Sequence, residues 1–146
     1  MNGPFGRASR VIKGLLSQGI TPEKISLAIA LAVVIGVFPV LGTTTALCAA
    51  AAMIFGLNPA AMQLVGWLVY PAQLALLVPM MRLGSLLFGL RPVPPLSELL
   101  HLMRADLWGA VKVFWPSTLS AVGAWLIASP VAVALIYFAL LPPLRR

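Results

Sequence analysis

The chain has 146 residues, 61% of them hydrophobic and 9% charged, with a formal net charge of +7. Soluble domains carry about a quarter charged residues, so this composition excludes a water-facing surface and predicts an integral membrane protein. Three acids (Glu23, Glu98, Asp106), one histidine and one cysteine exclude a carboxylate cluster, a histidine-rich metal site and a disulfide framework, which leaves binding, packing or transport and predicts neither catalytic residues, metal nor cofactor.

The basic residues sit at the edges of apolar runs, not interleaved with aromatics, which points to an anionic membrane face and to no nucleic acid. Arg7, Arg10, Lys13 and Lys24 precede the first apolar run and Arg145 and Arg146 follow the last. The positive-inside rule then places the amino terminus in the cytoplasm of a multi-pass inner-membrane protein; the side of the carboxyl terminus stays open.

Residues 5–19 put Phe5, Ala8, Val11, Ile12, Leu15 and Leu16 on one helical face and Arg7, Arg10, Lys13 and Ser17 largely around the other, the pattern of a basic amphipathic helix lying on a bilayer. Thr21, Pro22 and Glu23 announce the next helix as cap, first residue and dipole partner. Its apolar part, Ile25 to Phe38, is short: about 14 residues give about 21 Å against a hydrocarbon core of about 30 Å. A secretory signal is disfavoured because no cleavage site follows. Pro39 and Gly42 then turn the chain, and Thr43, Thr44 and Thr45 offer hydroxyls to cap a helix over Ala46 to Leu57. Asn58-Pro59 opens another apolar segment, Tyr70-Pro71 interrupts it, and Leu74 to Leu90 follows. Two topologies fit: each half forms a re-entrant hairpin, or Ala46 to Tyr70 crosses as one helix kinked at Pro59. Either way the backbone is irregular at Pro39 to Thr45 and near Pro71, which membranes tolerate only inside protein or beside a wet cavity.

Pro92, Pro94 and Pro95 form a linker to a second amphipathic surface helix over 96–112, and residues 117–141 are long enough to span, with a kink at Ser129-Pro130 and an end at Pro142-Pro143. The fold class is thus all-α and integral to the membrane, one domain over 1–146, with broken or re-entrant helices and two surface helices.

The run Ile35-Gly36-Val37-Phe38-Pro39-Val40-Leu41-Gly42-Thr43-Thr44-Thr45, followed by Gly56-Leu57-Asn58-Pro59-Ala60-Ala61, Tyr70-Pro71 and Arg82-Leu83-Gly84, resembles the prokaryotic membrane family called domain of unknown function 2062, over roughly residues 21–90. The family's first turn resembles G-x-x-P-x-x-G-x-Q-T and its second N-P-L-T; here Thr43-Thr44 stands near the glutamine position and Tyr70-Pro71-Ala72-Gln73 replaces the second turn. The resemblance implies no established activity, although some relatives are joined to glycosyltransferases, which implies proximity to lipid-linked sugars. A fainter similarity of architecture is to the DedA superfamily of lipid transporters.

A helix beginning at Thr43 to Thr45 within the bilayer presents free amides and a positive dipole end to an anionic group. Gln73 stands beside the second turn, and Arg82, inside an apolar run, either contacts a phosphate or snorkels toward the interface near Arg91. The expected function is binding or moving an anionic lipid, such as a phospholipid or a polyprenyl-phosphate carrier, through Thr43, Thr44, Thr45, Arg82 and Gln73. The alternative is a scaffold subunit, as a homo-oligomer or with a cell-envelope enzyme such as a glycosyltransferase.

Overall fold

The computed structural model describes Gly6, Arg10, Lys13, Gly14 and residues 20–145, and among these residues there is no strand. Of the expected surface helix over 5–19, those four positions are helical and the rest lie outside the described residues.

Helix α1, Pro22–Gly36, starts as its sequence dictates: the Thr21 side chain accepts from the Lys24 amide at 3.3 Å, Pro22 fills the first position and Glu23 the first turn. Helix α2, Thr44–Phe55, ends at Gly56, whose left-handed φ of 60° lets the Leu57 amide reach back to the Ala52 carbonyl at 2.8 Å. This reversal separates α2 from α3, so no single helix runs from Ala46 to Tyr70. Helix α3, Pro59–Leu87, opens where Asn58 Oδ1 accepts from the Ala61 amide at 3.0 Å.

Helix α3 continues through Pro71 and Pro79, which corrects the reading of Tyr70-Pro71 as an interruption and of the second half as a hairpin. A proline deletes one hydrogen bond and crowds one carbonyl, and apolar helices of this length absorb that without ending. A second correction falls at Asp106. Helix α4, Leu96–Ala105, stops there because Asp106 is extended (φ −152°, ψ 97°), and its Oδ1 accepts from the Trp108 amide at 3.1 Å to start α5, Leu107–Leu144. Residues 107–112 therefore belong to α5 and not to the amphipathic helix. Helix α5 passes through Pro116, Pro130, Pro142 and Pro143, so neither Pro130 nor the terminal pair ends it.

Helix α1 packs against α2, α3 and α5, and among the described residues α4 packs against α5 alone. The core between α1, α2 and α3 is built of small side chains, with Ala28, Ala32, Ile35, Cys48, Ala51, Ala52, Leu57 and Met62 buried together, so helix backbones approach closely. A Cβ at Gly84 would lie 2.4 Å from the Ser120 carbonyl carbon, which puts α3 and α5 backbone to backbone at that crossing. At the opposite end of α5, Arg145 binds Glu23 Oε1 through Nη2 at 2.7 Å and Nε at 3.0 Å. This clasp brings the end of the last helix to the start of the first. The Glu23 carboxyl is held below its ordinary value, first by a hydrogen bond from the residue's own backbone amide and then by Arg145.

Among the described residues two helices, α3 and α5, are long and apolar enough to cross a membrane, whereas α2 is apolar but short.

Candidate functional site

The turn between α1 and α2 leaves backbone groups without partners inside their own helices, and their fate defines the site. Pro39 has no amide, and the Phe38 amide turns to the Ile35 carbonyl at 3.0 Å, so the Val34 carbonyl loses its usual partner four residues on. Trp125 of α5 supplies the donor: its indole Nε1 donates to Val34 O at 2.9 Å, while its ring meets Phe38 edge to face at 4.9 Å and 82°. Gln73 of α3 supplies the next one, Nε2 donating to Phe38 O at 2.7 Å. Pro39 is buried between them.

Beyond Pro39 the threonines divide their work. Gly42 adopts φ 85°, a backbone conformation that disfavours side chains with a Cβ. The Thr43 hydroxyl donates to Val40 O at 2.9 Å, serving the turn and not the helix, so α2 has no side-chain cap. Thr44 Oγ1 accepts from Gln73 Nε2 at 3.5 Å, and Thr45 Oγ1 accepts from Gln63 Nε2 at 3.1 Å. Leu47 N to Thr43 O is the first bond of α2, which leaves the amides of Thr44, Thr45 and Ala46 without helical carbonyls.

Gln73 is the buried centre of this arrangement, 1% exposed. Both hydrogens of its Nε2 have acceptors, Phe38 O and Thr44 Oγ1, and a carbonyl at 2.7 Å fixes which amide atom is nitrogen. Its Oε1 is buried and meets no donor. An orphaned buried acceptor costs about 1–3 kcal/mol, which offsets part of what the two bonds from Nε2 contribute to the turn.

The structure brings Thr44 and Gln73 together, with Thr43 and Thr45 on either side, and leaves Arg82 apart. Nine positions separate Arg82 from Gln73, which is about 13 Å along α3 and about half a turn around it. Arg82 is exposed and has no hydrogen bond or ion pair among the described residues. Tyr70 and Pro71 are exposed within α3, and Asn58 and Pro59 serve as its cap and first residue. Gln63 bonds across to Thr45 of α2, whereas Asn58 caps its own helix.

Sequence reasoning missed Trp125. Its signal was present: a tryptophan amid an apolar run must find an acceptor for its N–H when buried. The site offers amide donors, hydroxyls, one orphaned acceptor and a positive helix end; among the described residues no group of three or more His, Cys, Asp or Glu gathers as a metal would require.

A family model described as "Uncharacterized protein conserved in bacteria (DUF2062)" matches residues 7–146, extending well past the 21–90 region that carries the turn motifs. No curated protein and no solved structure matches the chain, and the expected similarity to DedA-like transporters finds no support in these comparisons.

Proposed function

We propose, from the premise that this chain belongs to that bacterial family of unknown function, that it is an inner-membrane protein holding an anionic lipid headgroup at a re-entrant hairpin, without catalysis. The lipid is a phospholipid or a polyprenyl phosphate. Membrane residence is supported by the faces of its long helices: only 17% of the most apolar stretch of α3 and 6% of that of α5 is buried within the protein, unlike the core helices of a soluble domain. Re-entry is supported by lengths. Helices α1 and α2, of 15 and 12 residues, measure about 22 and 18 Å against a hydrocarbon core of about 30 Å. Their turn meets α3 at Gln73, the fifteenth of its 29 residues, so the tip lies half-way along a helix that is long enough to span. The Glu23–Arg145 clasp sets the start of α1 and the end of α5 on one side, and the basic residues around both make that side cytoplasmic.

The observation that carries the reading is the uncapped start of α2, where the amides of Thr44, Thr45 and Ala46 have no helical carbonyls and Thr43 turns its hydroxyl to Val40. Helix starts attract anions through free amides and the dipole. Arg82 serves the same lipids differently, snorkelling from five residues before the end of α3 to headgroups at the surface.

Purified protein in nanodiscs tests this by mass spectrometry of retained lipid, read beside thermal stability. Gln73→Leu is expected to lose most of the anionic lipid that wild type retains, and Arg82→Ala to keep it. Equal retention by all three overturns the reading. A nitroxide at Leu41→Cys in a Cys48→Ala background should report a depth in the bilayer interior; headgroup depth overturns re-entry. In that event the scaffold reading takes over, favoured by the last turn of α2, where Met53 and Ile54 are 79% and 76% exposed and offer an apolar face to an envelope enzyme or a second copy.

A further inference from the structure

Past their close crossing at Gly84 and Ser120, the two long helices end at different heights. Helix α3 has three residues left, to Leu87, whereas α5 extends thirteen residues back to Leu107, a mismatch of about 15 Å along the axes at 1.5 Å per residue. Gly89 stops α3: at φ 64° it turns the chain so that the Leu90 amide reaches back to Ser85 O at 2.8 Å. The overhang of α5 leaves an open-sided groove of about 320 Å³ lined by Phe88, Leu90, Pro116, Leu119 and Ser120, room for part of one hydrocarbon chain and at the small end of ligand sites. The ring of Phe88 leans toward Gly123, one turn deeper on α5, and lies 2.8 Å from where a Cβ would stand there. Ser120 is the one polar residue of the lining, and its hydroxyl is spent on Ser117 O at 2.8 Å. The groove is therefore apolar throughout.

Positive charge stands at its mouth. On α5, Trp108, Lys112, Pro116 and Leu119 follow one another at spacings of four, four and three, which puts them on one face, with Lys112 one turn above the lining. Lys112 is exposed and has no ion pair among the described residues; its Nζ lies 6.0 Å from the Trp108 ring centroid, the outer limit of a cation–π contact. Arg91 follows Leu90 directly and is likewise exposed and without an ion pair among those residues. One face thus carries, in order, an indole suited to the headgroup level, an ammonium and an apolar slot. A soluble anion leaves the slot unused, and a zwitterionic headgroup brings its own cation to compete for its phosphate. We propose that this groove is a second lipid site, at the end of the molecule away from the Glu23–Arg145 clasp, where one chain of an anionic phospholipid lies along Pro116 and Leu119 and Lys112 holds the phosphate. It requires α3 and α5 to lie in a membrane and does not depend on binding at the α1–α2 tip.

The site opens sideways and exchanges its lipid with the bilayer, so it is read in the membrane and not by what survives purification. Protein in phosphatidylcholine nanodiscs receives a trace of phosphatidylglycerol or phosphatidylcholine bearing a photoactivated diazirine in one chain, and adducts are mapped by peptide mass spectrometry. Adducts around Leu119 are expected about fivefold more often with phosphatidylglycerol, which is about 1 kcal/mol for one lysine at a membrane surface. Lys112→Gln should cut that ratio to half or less. Arg82→Gln removes the same charge from an exposed position on the side of α3 away from Gly84 and should leave the ratio as it is. Leu119→Trp, at a side chain 53% exposed, should fill the groove and remove the adducts there with either probe. Equal labelling by the two probes in wild type overturns the proposal. So does a ratio that Lys112→Gln leaves intact, or one that Arg82→Gln lowers as much, since surface charge in general then explains the preference. Labelling that survives Leu119→Trp overturns the groove as its place, and free glycerol phosphate that erases the preference assigns Lys112 to a soluble anion and overturns the lipid. The groove ratio and the lipid retained at the tip are separate readings, so either can fail without the other.

Discussion

Replacing Trp125 by phenylalanine removes one indole N–H and keeps most of an aromatic ring against Phe38, which isolates the hydrogen bond that closes the end of α1. The Val34 carbonyl at the other end of that 2.9 Å bond belongs to a buried residue, and the Phe38 amide that ordinarily serves such a carbonyl is committed to Ile35. The substitution therefore strands an acceptor, a loss of about 1–3 kcal/mol. For a chain of this size that is a fall in Tm of about 3–10 °C. Trp125→Ala removes the ring as well and should cost about 3–5 kcal/mol. Thermal unfolding in detergent, followed by near-ultraviolet circular dichroism, gives both values. A Trp125→Phe variant that matches wild type within a degree would refute this, because the ring and not the N–H would then carry the contact, and phenylalanine and alanine variants that melt together would refute the separate cost assigned to the ring.

Gly84→Ala should cost about 1–3 kcal/mol or more, since its new methyl meets α5 backbone at Ser120 and Ala121 and not a side chain that can move; a Tm equal to wild type would remove the close crossing. Gly42→Val should destabilise by about 1–2 kcal/mol through its φ of 85° alone, as open space surrounds the site, and Gly42→Asn should recover part of the loss in the same melting assay. The folded Glu23 carboxyl sits below its ordinary value, so its contribution is complete above the unfolded value and disappears as pH falls through the folded one. The Tm difference between wild type and Glu23→Gln should accordingly close on acidification below about pH 4.5, and Arg145→Ala should remove only part of it, because the residue's own amide is the larger cause.

Helix starts were legible wherever the cap and its target lie within three residues. Thr21-Pro22 and Asn58-Pro59 both open helices as read, because such capping depends on local chain alone. Tyr70-Pro71 has the same spelling and sits inside α3, since a proline's effect depends on the packing around it, which neighbours in sequence do not report. Asp106 was legible and passed over: its cap on Trp108 is local, but the apolar period of α4 carries across it and masked the break. Gln73 was singled out by its polarity, yet its bond to Phe38 crosses 35 residues and that of Trp125 to Val34 crosses 91. Pairings at that range follow from how helices dock, which no single segment encodes.

That range also sets an order of events at the ribosome. When Val34 is added to the growing chain, the tryptophan that will serve its carbonyl is 91 residues from being made, an interval of about 5–18 s at ordinary rates of synthesis. Through that interval the indole donor that closes the end of α1 does not yet exist. The α1–α2 hairpin is thus complete in sequence well before the residue of α5 that closes it is made.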